Sequence, residues 1–110
     1  MAAPDGSLLD RLYRALAARR GGDIQSSYTA TLLSSGTERV AQKLGEEALE
    51  AARAATAGRR DGVIGESADL LYHLLVLWLA TGVEPDEVWR ELERREGTSG
   101  MLEKAQRPGG

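Results

Sequence analysis

Residues 70–80 read LLYHLLVLWLA, a segment that is apolar on almost every side of a helix. A helix without a polar face has to be surrounded by protein, so this segment predicts the central helix of the fold. It is too short to span a bilayer and is interrupted by His73. Residues 1–9 lack the basic and apolar stretches of a secretory signal, so we expect a soluble, cytoplasmic protein.

The composition of the chain predicts one small helical domain. Its 110 residues are rich in the helix formers alanine and leucine and include no phenylalanine. The net charge of −3 provides no basic surface for nucleic acid, and the absence of cysteine excludes disulfides, thiol nucleophiles and thiolate metal sites. We expect one domain at residues 8–107 between flexible ends at 1–7 and 108–110.

Periodic apolar residues predict helices on both sides of the central segment. The expected bounds are about Leu8–Arg20, Thr37–Ala57, Asp61–Thr81 and Glu84–Gly97, with one more short helix after Thr98 that Ser99 caps. Residues 23–35 are polar and rich in serine and threonine. We therefore expect an ordered loop there, anchored by Tyr28, Leu32 and Leu33.

The predicted fold class is all-α: a small bundle of about four helices plus a short C-terminal helix, completed by dimerisation. The helix at 37–57 carries a stripe of mostly small side chains, which lets a neighbouring helix approach closely. The stripe consists of Val40, Ala41, Leu44, Ala48, Ala51 and Ala55. In the helix after residue 84, the residues expected to face inward are Val88, Trp89 and Leu92. A chain this short can hardly surround its central helix alone, so part of that helix should contact a second subunit.

Five acidic residues lie on the two longest predicted helices. They are Glu46, Glu47, Glu50, Glu66 and Asp69. At about 100° per residue the first three fall on one side of their helix, and the last two, three positions apart, share a face of theirs. A short turn at residues 58–62 joins the two helices, so the two acidic faces are expected to meet.

A hard divalent cation would explain this arrangement. Carboxylates one turn apart repel each other on a bare helix, and Asp69 borders the apolar segment, where an unpaired charge is costly. Mg²⁺ takes oxygen ligands, whereas one histidine and no cysteine argue against zinc or copper. The alternative is a solvated acidic face that is paired with Arg39, Lys43 and Arg53. Spacing alone leaves both interpretations open.

The acidic pattern resembles the signature of the all-α nucleoside triphosphate pyrophosphatase superfamily, which includes the MazG proteins. Glu47-x-x-Glu50 followed by Glu66-x-x-Asp69 carries this resemblance. The flanking segments are similar to those of the phosphoribosyl-ATP pyrophosphatase family of histidine biosynthesis. These segments are Ser27–Ala30, Gly36–Arg39, Gln42–Glu47, Ala68–Leu75, Thr98–Gly100 and Glu103–Ala105. The resemblance covers about residues 8–107.

The resemblance implies a homodimeric, MazG-like enzyme that hydrolyses phosphoribosyl-ATP to phosphoribosyl-AMP and pyrophosphate, the second step of histidine biosynthesis. It also implies Mg²⁺, or Mn²⁺ in its place, as the cofactor. The metal ligands would be Glu47, Glu50, Glu66 and Asp69. Glu46 would be an additional ligand or the base for the attacking water, so that the catalytic residues would be Glu46, Glu47 and Glu50.

Four residues are candidates for binding the substrate. They are Arg39, Lys43, Ser99 and Lys104. Lys43 shares a face with the first acidic group and can reach a phosphate, although an ion pair with Glu47 explains it equally well. Ser99 precedes an expected helix start, where backbone N–H groups favour an anion. Lys104 belongs to a group of cations near the C-terminus that could receive the ribose phosphate.

Two other functions are compatible with the sequence. A house-cleaning pyrophosphatase of the same superfamily would hydrolyse free non-standard triphosphates such as dUTP. A non-catalytic helical dimer would leave its acidic face solvated and would gain no stability from Mg²⁺ or Mn²⁺. The flanks at 27–30 and 98–105 favour the histidine-pathway enzyme.

Overall fold

Six α-helices make up the part of the chain that the structure describes. A computed structural model describes residues 3–25, 27–98 and 100–107, with only the backbone of residues 101–103. The helices are α1 (Ser7–Ala17), α2 (Tyr28–Ser34), α3 (Thr37–Thr56), α4 (Arg60–Thr81), α5 (Pro85–Arg95) and α6 (Gly100–Gln106). These residues contain no strand, so the predicted all-α class is confirmed.

The hairpin of α3 and α4 is the most extensive helix contact in the molecule. Its turn uses Gly58, whose φ of +70° lies in the left-handed region that favours glycine. Close to the turn the two helices nearly touch, because a Cβ added at Gly62 would lie 3.2 Å from the Cβ of Ala54. Ala54 is fully buried. Small residues at these two positions therefore set the helix spacing at this end of the hairpin.

The core surrounds the second half of α4. Leu75 and Val76 are fully buried, and Leu16 of α1 is buried with them. Trp78 meets Trp89 of α5 edge-on, with ring centroids 5.8 Å apart. The prediction of a buried central helix is therefore confirmed for this half.

Two hydrogen bonds tie α1 and its following loop to the C-terminal end of α4. The hydroxyl of Tyr13 donates to the carbonyl oxygen of Val83 over 3.0 Å. Nη1 of Arg20 donates to the carbonyl oxygen of Leu79 over 2.6 Å, and so satisfies one of the carbonyls that a helix end leaves without a partner. These bonds fix α1 on the helix that carries the core.

The first half of α4 differs from the second because its apolar side chains reach solvent. Ile64 is 57% exposed, and Leu71, at the boundary between the two halves, is 42% exposed. By length and composition alone α4 resembles a membrane span. One such helix is weak evidence, since the core helix of a soluble protein has the same character. It does not indicate a membrane protein here, because its second half packs inside the bundle and its first half carries Glu66 and Asp69.

The loop predicted at residues 23–35 was wrong in its second half, which forms α2. Ser27 is the N-cap of this helix, and its Oγ accepts a hydrogen bond from the N–H of Ala30 over 3.1 Å. Ala30 and Leu32 are buried. Capping and burial together outweigh the low helix propensity of the serines and threonines.

The buried stripe of α3 is rotated from the predicted one. Val40 is fully buried as predicted, but so is Ala54, and Glu47 lies half-buried on the same side. The predicted stripe residues that are exposed instead are Ala41, Ala48 and Ala55. Alanine fits a core and a surface equally well, so an alanine-rich helix does not define its own orientation.

Helix α5 begins at Pro85, within one residue of the predicted start, and Glu84 is its N-cap. Val88 and Trp89 pack against the core. Leu92, which was expected to face inward, is 54% exposed, so that prediction was wrong. The reason is that the core contact of α5 ends one turn earlier.

Candidate metal centre and adjoining pocket

Three carboxylates from α3 and α4 form what we call the acidic cluster: Glu47, Glu66 and Asp69. One carboxylate oxygen from each residue lies within 4.8 Å of the corresponding oxygens of the other two. The hairpin produces this contact because antiparallel helices pair residues that lie at similar distances from the connecting turn. The structure thus brings together three of the four residues expected to bind the metal.

The acidic cluster is not neutralised by ion pairs within the described residues. In the part of the chain that the structure describes, no lysine or arginine forms an ion pair with its members. Desolvation and then repulsion from Asp69, Glu47 and Glu50 raise the pKa of Glu66 above its ordinary value of 4.5. A hydrogen bond with Glu47 acts in the same direction. The site therefore concentrates negative charge that a bound cation would relieve.

The other two predicted acids, Glu46 and Glu50, form ion pairs on α3. Nζ of Lys43 lies 3.2 Å from Oε2 of Glu46, and Nη1 of Arg53 lies 3.2 Å from Oε1 of Glu50. Lys43 thus pairs with Glu46 and not with Glu47, the pairing that the sequence left open as an alternative to phosphate binding. Glu50 is still close enough to Glu66 to raise its pKa, so it flanks the acidic cluster.

A buried polar network joins α2 to the turn of α4 that carries Asp69. Nδ1 of the buried His73 lies 2.7 Å from the carbonyl oxygen of Asp69, which can only accept, so Nδ1 carries a proton. In the neutral ring Nε2 then accepts from the hydroxyl of Tyr28 over 3.1 Å. Beside this pair, the hydroxyls of Thr29, which follows Tyr28, and Tyr72, which precedes His73, lie 2.5 Å apart. The sequence did not reveal that His73 has a partner on α2.

A pocket of about 180 Å³ opens between α2 and α3, and we call it the α2–α3 pocket. Its lining residues are Tyr28, Thr31, Leu32, Ser35, Arg39 and Lys43. The pocket adjoins the acidic cluster through Lys43. The hydrogen bond to Glu46 and then the charges of Glu46, Tyr28 and Glu47 raise the pKa of Lys43, so this ammonium group is charged at neutral pH.

The remaining predicted substrate residues lie elsewhere. Lys104 is exposed on α6, which makes no extensive contact with another helix in the described residues. Ser99 lies outside the described residues. Of the other C-terminal cations, Arg94 and Arg95 donate to Glu91 and lower the pKa of that carboxyl to about 2.

Comparisons with known proteins point to one family. The family model described as Phosphoribosyl-ATP pyrophosphohydrolase matches residues 9–96. A Phosphoribosyl-ATP pyrophosphatase of Parvibaculum lavamentivorans is 58% identical over 96% of this chain and 96% of its own length. Proteins with the same name from Gluconobacter oxydans and Rhizorhabdus wittichii are 54% and 56% identical. They match 92% and 93% of this chain over 76% and 96% of their own lengths.

Proposed function

Because this chain belongs to the phosphoribosyl-ATP pyrophosphohydrolase family, we propose that the acidic cluster is its active site and binds Mg²⁺. The chain is a hydrolase of histidine biosynthesis that converts phosphoribosyl-ATP to phosphoribosyl-AMP and pyrophosphate. One observation carries the assignment of the site: three carboxylates from two helices meet without a cationic partner in the described residues. The alternatives of nucleotide house-cleaning and of a non-catalytic dimer gain no support from the relatives.

The donor set of the acidic cluster suits a hard divalent cation. Carboxylate oxygens are the ligands that Mg²⁺ and Mn²⁺ prefer. The pKa of Glu66 is raised first by desolvation and then by the neighbouring carboxylates, whose negative charge such an ion would offset. Glu47, Glu66 and Asp69 would hold the ion, and Glu50 would join them after leaving Arg53. When bound, the ion would neutralise charge on the triphosphate and on the departing pyrophosphate.

The residues beside the acidic cluster would orient water and substrate. We propose Glu46 as the base for the attacking water or as an additional ligand, with its carboxylate held in place by Lys43. Arg39 and Lys43 would bind anionic groups of the substrate. Ser99 and Lys104 remain proposed substrate residues on the strength of the sequence alone.

A homodimer would cover the apolar surface that the hairpin exposes. Leu49 of α3 and Ile64 and Leu71 of α4 are 50%, 57% and 42% exposed. Large side chains exposed this far on neighbouring helices are typical of an interface. The exposed alanines of α3 would let a second copy approach closely. We place the dimeric enzyme in the cytoplasm, with a small nucleotide as its substrate and neither nucleic acid nor membrane as its partner.

Pyrophosphate release by the purified protein tests the proposed function. We expect release from phosphoribosyl-ATP with Mg²⁺, little release in EDTA, and much slower release from ATP and dUTP. Rapid release from dUTP would instead support nucleotide house-cleaning. A lack of release from every substrate with every metal would support the non-catalytic dimer.

A further inference from the structure

The α2–α3 pocket contains two cationic side chains, and the two hydroxyl groups that line it beside Tyr28 already donate hydrogen bonds to the backbone. Arg39 forms no ion pair or hydrogen bond within the described residues, and the side chain of Lys43 is only 24% exposed. Thr31 and Ser35 already donate their hydroxyl protons to backbone carbonyls over 2.7 and 2.6 Å. An anion in this pocket would therefore depend on the two cations and not on the hydroxyls.

Two other cavities of the described structure do not suit an anion. The cavity of about 370 Å³ between α1 and α5 is lined by Asp10, Glu84 and Asp86 against a single cation, Arg14. A third cavity contains Arg20, but the guanidinium of that residue already donates to a carbonyl at the end of α4. Charge thus distinguishes the α2–α3 pocket from both of these cavities.

The position of the pocket on α3 matches the shape of the substrate. Arg39 precedes Glu47 by eight residues, or about 12 Å along the helix axis. Phosphoribosyl-ATP carries its triphosphate on one ribose and a single phosphate on a second ribose, across the purine ring. If the triphosphate lies at the acidic cluster, a substrate that extends along α3 carries its second phosphate towards Arg39.

We propose that the α2–α3 pocket binds the 5′-phosphate of the second ribose, the group that phosphoribosyl-ATP has and ATP lacks. This inference rests on the proposed function. Arg39 provides a planar pair of donors for a phosphate, and Lys43 adds charge between the pocket and the acidic cluster. Tyr28 forms one wall and is held by its hydrogen bond to His73. The pocket is therefore the site that selects this substrate over ordinary nucleotides.

Product binding tests this inference without turnover. NMR titration would give the dissociation constants of phosphoribosyl-AMP and AMP for the wild type, for Arg39→Gln and for Arg39→Lys. We expect the wild type to prefer phosphoribosyl-AMP. Arg39→Gln should lose about 10- to 100-fold of that preference, which corresponds to the loss of charge-assisted hydrogen bonds, and should bind AMP as before. Arg39→Lys should recover part of the loss, because it keeps the charge without the planar donors.

Arg11→Gln is the matched control, because Arg11 is exposed on α1 outside the pocket. It should bind phosphoribosyl-AMP and AMP as the wild type does. If Arg39→Gln kept the full preference for phosphoribosyl-AMP, the pocket would be misassigned while the proposed function would stand. If the wild type itself bound phosphoribosyl-AMP and AMP equally, this inference would fail, whereas the proposed function would fail only if Mg²⁺ gave no release of pyrophosphate from phosphoribosyl-ATP.

Discussion

Single residues explain why the acidic cluster concentrates negative charge. Glu47, Glu66 and Asp69 share a small volume, while the neighbouring Glu46 and Glu50 are each balanced by a basic residue of α3. The carboxylates without a basic partner in the described residues are the three that meet between α3 and α4. Their charge is therefore a property of the hairpin and not of either helix alone.

Glu47→Gln should lower the turnover of phosphoribosyl-ATP by orders of magnitude while the protein stays folded. The substitution keeps the size of the side chain and removes one of the three charges that would hold Mg²⁺. Initial rates of pyrophosphate release and far-ultraviolet circular dichroism would measure the two effects. Glu93→Gln, at an exposed acid of α5, is the control and should keep the wild-type rate. Retained activity in Glu47→Gln would show that Glu47 is not a metal ligand needed for catalysis.

Glu66 should make the metal-free protein less stable as the pH rises. Its pKa in the fold lies above the ordinary value of 4.5, so the fold favours the protonated form. The resulting stabilisation is present below pH 4.5 and is lost as the pH rises through the raised pKa. In EDTA, the melting temperature of Glu66→Gln should therefore exceed that of the wild type by a margin that grows towards neutral pH. A margin that does not change with pH would show that Glu66 titrates normally.

The sequence predicted single residues well where helical spacing determines their position. Glu66 and Asp69 share a face because they are one turn apart, and one short turn brings that face to Glu47. The contact between Tyr28 and His73 was not predictable in this way. It joins residues that are 45 positions apart and depends on how α2 packs on α4.

At the scale of the helix, α2 and α3 show what local patterns leave undetermined. Helix α2 has only seven residues. Its stability depends on Ser27 as its cap and on the burial of its side chains, which the local sequence does not predict. The long helices α3 and α4 were predicted to within a few residues, because apolar periodicity and glycines define their ends. The rotation of α3 was missed because its alanines fit either side.

Gly62 and Gly65 on α4 test the close approach within the hairpin. Alanine at either position should favour the helix by up to about 1 kcal/mol. A Cβ at Gly65 meets nothing within 4 Å, whereas one at Gly62 lies 3.2 Å from the Cβ of Ala54 and 3.1 Å from Nη1 of Arg59. Urea unfolding should therefore show a larger gain for Gly65→Ala than for Gly62→Ala. Equal gains would mean that the hairpin tolerates wider spacing near its turn.

At the scale of the whole molecule, the core and the site occupy different halves of α4. The C-terminal half packs against core residues of α1, α2, α3 and α5, whereas Ile64 in the N-terminal half and Leu71 at the boundary between the halves are exposed. The sequence predicted a second subunit because a chain this short cannot cover its central helix. A dimer formed through the hairpin would stiffen the two helices that carry the acidic cluster.

Ile64→Arg should shift the enzyme from dimer to monomer, because it places a charge in the proposed interface. Sedimentation velocity of the variant and the wild type at equal concentration would measure the change. Ile24→Arg is the control, since Ile24 is similarly exposed, at 53%, but lies outside the hairpin. A dimer that survives Ile64→Arg, or a monomeric wild type, would contradict the proposed interface.

The most direct test of the metal site is the shift in melting temperature that Mg²⁺ causes in the wild type and in Asp69→Asn. A ligand that binds only the folded protein raises its melting temperature, and the rise grows with affinity. We predict a clear rise for the wild type at neutral pH when excess Mg²⁺ replaces EDTA, and little or no rise for Asp69→Asn. Equal shifts in the two proteins, or no shift in the wild type, would contradict the assignment of the acidic cluster as the magnesium site.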